Sequence, residues 1–302
     1  MSIARQASEI TLPADNRGWS TVLQFLCSQF PFISETVWRE RIADGKVHWF
    51  NGSPVTPLTP FMPSKRLCYY REVATEPVIP LAHSIIFQNE HIIVADKPHF
   101  LPVTPGGDFV NECLLARLQR DTGITDIVPV HRLDRDTAGL VLFSVNPLSR
   151  PAYYQLFSQG LIQKHYQAVA RLTAAMLQTD LPQHWHIENR IEKASPRFIN
   201  RIVTGEVNAV SAISLVAKNQ DKGLFQLTPH TGKTHQLRLH MLSLGAPILY
   251  DNYYPQLKPK LPPQFATPLQ LLAKQLSFTD PSSKQSMQFS SKQLLTAWQD
   301  QC

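Results

Sequence analysis

The sequence predicts an α+β protein whose larger domain is built on a mixed or antiparallel β-sheet. Short β-like runs alternate with isolated helical patterns, but they lack the regular repeat of a doubly wound fold. No internal repeat of about 20–50 residues is visible. At about 150 residues per domain, the length of 302 residues predicts two domains.

The composition excludes several classes of protein. Hydrophobic residues make up 43% of the chain, which is ordinary for a globular protein and too high for a disordered one. Four widely spaced cysteines form no CxxC pair, which argues against a thiolate zinc site and a disulfide scaffold. The chain shows neither a run of about 18 apolar residues nor a signal-peptide pattern. We therefore expect a cytoplasmic protein without a membrane partner.

The N-terminal region is predicted to begin with an arm and two helices. Residues 1–18 are polar and irregular, and we expect them to form a loose N-terminal arm. Residues 19–42 predict two short helices on either side of Pro31. Ser34 has the side chain and the position of an N-cap for the second helix.

Strands and a linker are predicted to complete this small domain. The strand-like segments KVHWF and CYYREV are separated by a tight-turn signal at Asn51-Gly52. Residues 74–82 contain two prolines and no periodic pattern, which is typical of a linker. We therefore assign 19–80 to the small domain with its linker, and 81–302 to the larger domain.

The larger domain is predicted to alternate strands, helices and polar loops. Its strands are expected in IIFQNEHIIVADKP, on both sides of the polar loop in DIVPVHRLDRDTAGLVLFSVN, in KHYQAVARL and over residues 186–230; its helices are expected in NECLLARLQRDTG, LSRPAYYQLFSQGLI and GKTHQLRLHMLSLG. Gly245 is expected to end the last of these helices.

A first polar cluster, HRLDRDTAG at residues 131–139, lies between the apolar runs IVPV and LVLF. A polar loop held by core strands is a common place for catalytic groups. The composition of the cluster also fits a solvated turn with local ion pairs. From these residues alone, both interpretations stay open.

A second cluster, KHYQA at residues 164–168, belongs to a predicted strand. Tyr166 and Ala168 fall on one face of that strand, because side chains alternate along it. The tyrosine ring either packs at the edge of the core or stacks on a base and offers its hydroxyl to a reaction.

The third cluster, TGKTHQLRLH at residues 231–240, suggests two kinds of site that the spacing argues against. A P-loop needs a glycine five residues before Gly232, but that position holds Leu227. His230, His235 and His240 are five residues apart, and this spacing does not align metal ligands on one helix face. We therefore predict neither a phosphate-binding loop nor a metal site.

Taken together and in order, the segments DKP, HRLDRDTAGLVLFS, KHYQAVA and TGKTHQLRLHMLSLGAPILYD resemble the RluA-type pseudouridine synthases. The resemblance covers roughly residues 83–302, and HRLD and THQLR are its most specific parts. Residues 19–73 look like a degenerate copy of the small RNA-binding module that often precedes this catalytic domain.

The resemblance implies that the protein isomerises uridine to pseudouridine in ribosomal or transfer RNA, without a cofactor or a metal. It implies a catalytic role for Asp134, an active-site role for Tyr166, and a pairing of Arg238 with the aspartate. A monomer is expected. The substrate-binding residues that it implies are His131, Arg132, Thr137, Lys233, His235, Gln236 and Leu239, of which Leu239 would line the uracil pocket.

These residue types suit the chemistry. A carboxylate beside C1′ can act as a nucleophile, stabilise a cationic sugar or take the C2′ proton, and the sequence leaves these roles open. An arginine can hold that carboxylate by a bidentate contact and keep it ionised. The uridine must leave its stack to reach the site, and the ring of Tyr166 could stack on the flipped base. Two other functions remain open: a catalytically silent RNA-binding protein or RNA chaperone on the same fold, and a glycosidase or nucleosidase.

The charge of the chain suits an RNA partner. The 29 basic and 23 acidic residues give a net charge of +6. Residues 1–80 hold 8 basic and 7 acidic residues, which leaves 21 and 16 for residues 81–302. The larger domain therefore carries a net charge of +5, and we expect the main contacts with RNA phosphates there.

Overall fold

The computed structural model describes residues 2–259 and 261–299, which divide into two compact units. The first unit comprises the chain up to Pro77 together with Gly106–Asn111, and the second comprises Val78–Pro105 and the chain from Glu112 onward. The helices are α1 (Val22–Gln29), α2 (Glu35–Ala43), α3 (Leu114–Thr122), α4 (Arg150–Ser158), α5 (Ala174–Gln178), α6 (Gln236–Ser243) and α7 (Thr296–Gln299).

The strands lie mostly in the second unit. They are β1 (Ser2–Ile3), β2 (Ser8–Thr11), β3 (Val47–Trp49), β4 (Arg66–Tyr69), β5 (Glu72–Val73), β6 (Ser84–Gln88), β7 (Ile92–Lys97), β8 (Val128–Pro129), β9 (Ala138–Ser144), β10 (Gln163–Arg171), β11 (Gln183–Lys193), β12 (Asn200–Val203), β13 (Ala209–Asn219), β14 (Lys222–Pro229), β15 (Leu271–Thr279) and β16 (Ser286–Ser290). No described helix has the length and apolar character needed to cross a membrane.

In the first unit, helices α1 and α2 pack with a three-stranded sheet of order β2-β4-β3. Helix α1 begins at a capping box made by Thr21 and Gln24. Ser34 caps α2 as predicted, because its hydroxyl accepts from the backbone N–H of Val37. The core of this unit is centred on the fully buried ring of Trp38.

The expectation of a loose arm over residues 1–18 is wrong for the structure of this segment. Strand β2 pairs with β4 from Ser8 opposite Tyr69 to Thr11 opposite Arg66, and β1 pairs with β5. Ile10 and Leu12 point into the core, and Leu12 is 1% exposed. Two alternating apolar residues are too short a pattern to indicate a strand, and the burial that stabilises them comes from distant residues.

The second unit is built on one large mixed sheet, which confirms the predicted α+β class. The order of its strands is β12-β11-β13-β14-β10-β15-β9-β7-β6, with β16 beside β15 and β8 beside β9. Every pair in this sheet is antiparallel except β9 with β15. Helix α6 contributes Leu237 and Met241 to the core on one face of the sheet, and it ends two residues before Gly245.

The central strands determine where the polar loops emerge. Tyr166, Ala168 and Ala170 of β10 contribute to the same apolar cluster, which confirms the alternation predicted for that strand. At the start of β9, Gly139 has φ +114°, and a Cβ there would lie 2.3 Å from the backbone oxygen of Ala273. This close approach of β9 and β15 requires glycine directly after the polar loop.

Candidate active site

Asp134 lies in the loop between β8 and β9. Its backbone carbonyl accepts from the N–H of Thr137 at 3.2 Å, which closes a tight turn. Its carboxylate is 28% exposed and accepts no hydrogen bond within residues 2–259 and 261–299. The turn therefore presents a partly desolvated carboxylate whose oxygens can still accept hydrogen bonds.

Lys97, at the end of β7, supports this loop from inside the protein. The side chain is fully buried, and this burial lowers the pKa of Lys97 to about 7. The negative charges of Asp136 and Asp134 act in the other direction and raise that pKa, but their effect is smaller. Its Nζ donates to the backbone carbonyls of Pro98 (3.0 Å), Leu101 (2.7 Å) and Arg135 (3.0 Å). Because Arg135 follows Asp134 directly, Lys97 supports the turn that carries Asp134. The sequence contains this lysine in DKP but does not indicate this contact.

Arg238 of helix α6 lies beside Asp134 but forms its bidentate pair with another carboxylate. Its Nε and Nη2 donate to Asp251 at 2.8 and 2.5 Å. Its Nη1 lies 3.6 Å from Oδ2 of Asp134 and is buried without a hydrogen-bond partner in the described residues. The predicted ion pair with Asp134 is therefore present, but the predicted bidentate contact is wrong.

Burial explains why Asp251 takes the bidentate contact. Asp251 is 4% exposed, so its charge needs a partner inside the protein. Its carboxylate also accepts from the backbone N–H groups of Tyr253 and Tyr254. Burial alone lowers the pKa of Arg238, but the hydrogen bonds and the charge of Asp251 outweigh that effect and raise it. Arg238 therefore remains charged, and its Nη1 faces the turn that carries Asp134.

His235, at the N-terminal end of α6, faces the same carboxylate. Its Nδ1 lies 2.9 Å from the hydroxyl of Tyr254, which also contacts the backbone carbonyl (3.0 Å) and N–H (2.9 Å) of Asn200. All three contacts are satisfied when Tyr254 donates to the carbonyl and Nδ1 of His235 carries a proton. Burial lowers the pKa of His235, and its Nε2 lies 3.8 Å from Oδ2 of Asp134.

Tyr166 extends from β10 toward the same charge. Its ring packs against the core cluster below the site. Burial, followed by the charge of Asp134, raises the pKa of Tyr166, so its hydroxyl keeps its proton at neutral pH. That hydroxyl has no hydrogen-bond partner among the residues that the structure describes. The site thus combines a carboxylate, a guanidinium edge, an imidazole acceptor and a phenol.

The other predicted site residues fall into two groups. Arg132 and Lys233 are exposed on the loops that frame the site. The remaining four have contacts within the protein. Thr137 and Leu239 are 3% exposed, and the side chain of Gln236 forms hydrogen bonds with Thr231, Val210 and Ser211. His131 accepts a hydrogen bond from the N–H of Leu142, and its ring stacks on Phe157. Burial lowers the pKa of His131 to about 3, consistent with its acceptor role.

No group of three His, Cys, Asp or Glu side chains in the described part of the chain is arranged to hold a metal ion. His235 contacts Tyr254, and His240 contacts Asn189 through Nε2 at 3.2 Å. These two histidines of the third cluster therefore have separate partners.

The larger part of the chain is similar to known proteins. Residues 91–243 match the sequence profile of the RNA pseudouridylate synthase family. An uncharacterized RNA pseudouridine synthase of Synechocystis is 30% identical over 77% of this chain and 79% of its own length. A dual-specificity RNA pseudouridine synthase RluA of Haemophilus influenzae is 34% identical over 69% of this chain and 92% of its own length.

Solved structures share the fold at lower sequence identity. Human RNA pseudouridylate synthase domain containing 1 aligns with a TM-score of 0.55 at 19% identity, over 72% of this chain and 86% of its own. Human RNA pseudouridylate synthase domain containing 4 gives a TM-score of 0.53 at 21% identity, over 70% of this chain and 88% of its own. The sequence matches and the shared fold lead to one conclusion: the chain belongs to the RluA-type RNA pseudouridine synthases, enzymes that isomerise uridine to pseudouridine in RNA.

Proposed function

We propose that Asp134 is the catalytic carboxylate and that it acts on a uridine flipped out of ribosomal or transfer RNA. One observation carries this assignment. The carboxylate of Asp134 is 28% exposed and lies 3.6 Å from a buried guanidinium nitrogen of Arg238 that has no hydrogen-bond partner in the described residues. A buried donor without a partner is unfavourable, and it can bind an acceptor that the substrate brings.

Each neighbouring group has a role in this proposal. The N-glycosidic bond breaks, the uracil turns, and a bond forms between C1′ and C5. Asp134 acts as a nucleophile at C1′, stabilises a cationic sugar or takes the C2′ proton. The guanidinium of Arg238 attracts and orients the carboxylate of Asp134, and Tyr166 stacks on the flipped base. The proton that C5 loses after the bond between C1′ and C5 forms passes to solvent water. Arg132 and Lys233 bind RNA phosphates at the rim, while Thr137, Gln236, Leu239 and His131 support the loops.

The finer substrate class is also a proposal. The Haemophilus relative is named a dual-specificity enzyme. For this chain we propose that the substrate is ribosomal or transfer RNA. We place the reaction in the cytoplasm, where both RNAs are found, and expect a monomer that needs no metal or cofactor. Mapping pseudouridines in total RNA with and without the gene identifies the target. Cell fractionation tests the cytoplasmic location, and light scattering measures the molar mass and so tests whether the protein is a monomer.

We also propose that the small domain, residues 19–80, contributes to RNA binding. Its electrostatic contribution should be modest, because four of its cations already form ion pairs: Arg39, Arg41, Lys46 and Arg66. Deletion of residues 1–80 should weaken RNA affinity more than it lowers turnover on a saturating minimal substrate. Unchanged affinity would exclude the small domain as an RNA-binding element.

The catalytic assignment is tested by tritium release from RNA labelled at C5 of uridine. Asp134→Asn should abolish release and leave RNA affinity near that of the wild type, because the exchange removes only the charge of one small side chain. Asp221→Asn is the matched control, because the Asp221 side chain is 51% exposed and forms an ion pair with Arg171 at the surface. Full turnover by Asp134→Asn would refute the assignment.

A further inference from the structure

We propose that His99 is a positioning residue for the reaction, because it holds the backbone of the turn that carries Asp134. This turn comprises residues 134–137, and a hydrogen bond of 3.2 Å from the N–H of Thr137 to the carbonyl of Asp134 closes it. The inference rests on the proposed function in one respect, because it takes Asp134 as the catalytic carboxylate.

The carboxylate of Asp134 depends on its backbone for its position. It accepts no hydrogen bond within the described residues. Nη1 of Arg238 and Nε2 of His235 lie 3.6 and 3.8 Å from its Oδ2, and both distances are longer than a hydrogen bond. A displacement of about 1 Å in a reacting group can lower a rate by about 100-fold. The geometry of the turn therefore decides whether Asp134 can react at C1′ of the target uridine.

The two middle residues of the turn have backbone carbonyls that the closing hydrogen bond does not use. The carbonyl of Arg135 accepts from Nζ of Lys97 at 3.0 Å, and the carbonyl of Asp136 lies 2.7 Å from Nδ1 of His99. A carbonyl can only accept, so Nδ1 of His99 carries the proton. Two consecutive peptide groups after Asp134 are thus held by two side chains from one short segment at the end of β7.

The hydrogen bond of His99 lies inside the protein. His99 and Asp136 are 9% and 6% exposed. Burial lowers the pKa of His99 to about 4, so the ring is neutral at pH 7 and its one proton stays on Nδ1. Without this donor the carbonyl of Asp136 would lose its partner where little water can replace it, which is unfavourable. The turn is therefore expected to shift when the donor is removed.

The residue after His99 has an unusual backbone conformation. Phe100 has φ +65°, in the left-handed region, where glycine is the usual residue and a side chain is unfavourable. Its ring is 6% exposed and packs edge-to-face on Phe265, with the ring centroids 5.2 Å apart. Conformations of this kind persist where the surrounding packing determines them, and they cluster at functional sites. The packing of Phe100 therefore fixes the backbone beside the ring that holds the turn.

A pair of amide variants separates the hydrogen bond of His99 from the mere presence of a polar side chain. The amide nitrogen of asparagine is bonded to Cγ, as Nδ1 of histidine is, whereas that of glutamine lies one carbon further from the backbone. Tritium release from RNA labelled at C5 of uridine is measured at saturating RNA. His99→Gln and His99→Ala should lower kcat by about 100-fold. His99→Asn should stay within about tenfold of the wild type, the effect of one weakened hydrogen bond.

The split between kcat and KM distinguishes positioning from a loss of RNA binding or of folded protein. All three His99 variants should keep a KM near that of the wild type, because no RNA contact is removed. His83→Ala is the matched control, because the His83 side chain is 10% exposed and contacts Asp121 of α3 at 3.2 Å. It should lower the unfolding midpoint and leave kcat unchanged. Every assay is run below the lowest midpoint of the set.

Hydrogen exchange of the Thr137 N–H reports on the turn without turnover. This N–H closes the turn, so its exchange, followed by NMR, should be faster in His99→Gln and His99→Ala than in the wild type. His99→Asn should stay close to the wild type. If His99→Ala does not fold, the comparison of the two amide variants carries the test.

The outcomes distinguish this proposal from the proposed function. Wild-type kcat in His99→Gln and His99→Ala, or equal kcat in the two amide variants, would overturn the positioning role of His99. Full turnover by Asp134→Asn would instead refute the catalytic assignment. The exchange of the Thr137 N–H would still decide whether His99 holds the turn, because that measurement does not depend on turnover.

Discussion

Replacing Asp251 by alanine should lower the free energy of unfolding by about 3–5 kcal/mol, the usual effect of removing one member of a buried ion pair. The carboxylate of Asp251 accepts from Nε and Nη2 of Arg238 at 2.8 and 2.5 Å, and from the N–H groups of Tyr253 and Tyr254 at 2.7 and 3.2 Å. Alanine removes all four contacts and leaves a guanidinium that is 1% exposed. Domains are stable by only about 5–15 kcal/mol, so this loss is large.

Denaturant unfolding followed by tryptophan fluorescence measures the effect. Glu35→Ala is the control, because its pair with Arg39 is 58% and 53% exposed, and it should change stability by about 0.5 kcal/mol or less. Asp134→Ala should abolish tritium release and change stability by less than about 1 kcal/mol, because Asp134 accepts no hydrogen bond in the described residues. If Asp251→Ala is as stable as the control, or Asp134→Ala is the less stable variant, the pairing inferred for Arg238 is wrong.

Three further outcomes are expected. Gly139→Ala should lower the free energy of unfolding by more than about 2 kcal/mol, because the added Cβ would collide with the neighbouring strand. Gly232→Ala is the control, because the space around its Cβ is open, and it should shift the free energy of unfolding by less than about 0.5 kcal/mol. Lys97→Met should reduce both stability and tritium release, because three buried carbonyls lose their donor; wild-type turnover would exclude its role in positioning the turn. Folding depresses the pKa of His131 to about 3, so the unfolded state binds the extra proton and stability is lost as the pH falls. Between about pH 6.5 and 5 the loss should be about 1.6 kcal/mol, and His131→Gln should show a shallower slope than the exposed control His165→Gln.

Elements with a strong local pattern were predictable. Helix α6 ends where Gly245 follows it, and Tyr166 and Ala168 share a face, because side-chain period and left-handed glycine are properties of short segments. Strand β2 was missed, because two alternating apolar residues carry little signal without the strand that pairs with them.

The supporting residues of the site were not predictable in the same way. Lys97 binds a carbonyl 38 positions away, and Tyr254 binds Asn200 across 54 positions. Such contacts depend on which loops the sheet brings together, and the spacing of residues along the chain does not predict them. The one available signal for Asp251 was its place at the end of the last segment of the family resemblance, TGKTHQLRLHMLSLGAPILYD.

The sequence by itself determined the α+β class, the family and therefore the reaction on uridine in RNA, because these follow from the order and identity of residues in short motifs. It also indicated Asp134, Tyr166 and Arg238 as one constellation. Only the tertiary structure decided how Arg238 is shared. Asp251 is buried, so its charge requires a partner inside the protein, and Arg238 forms its bidentate contact with this carboxylate. Asp134 is partly exposed and stays open to solvent. Burial is a property of the packed chain, and no local sequence pattern specifies it.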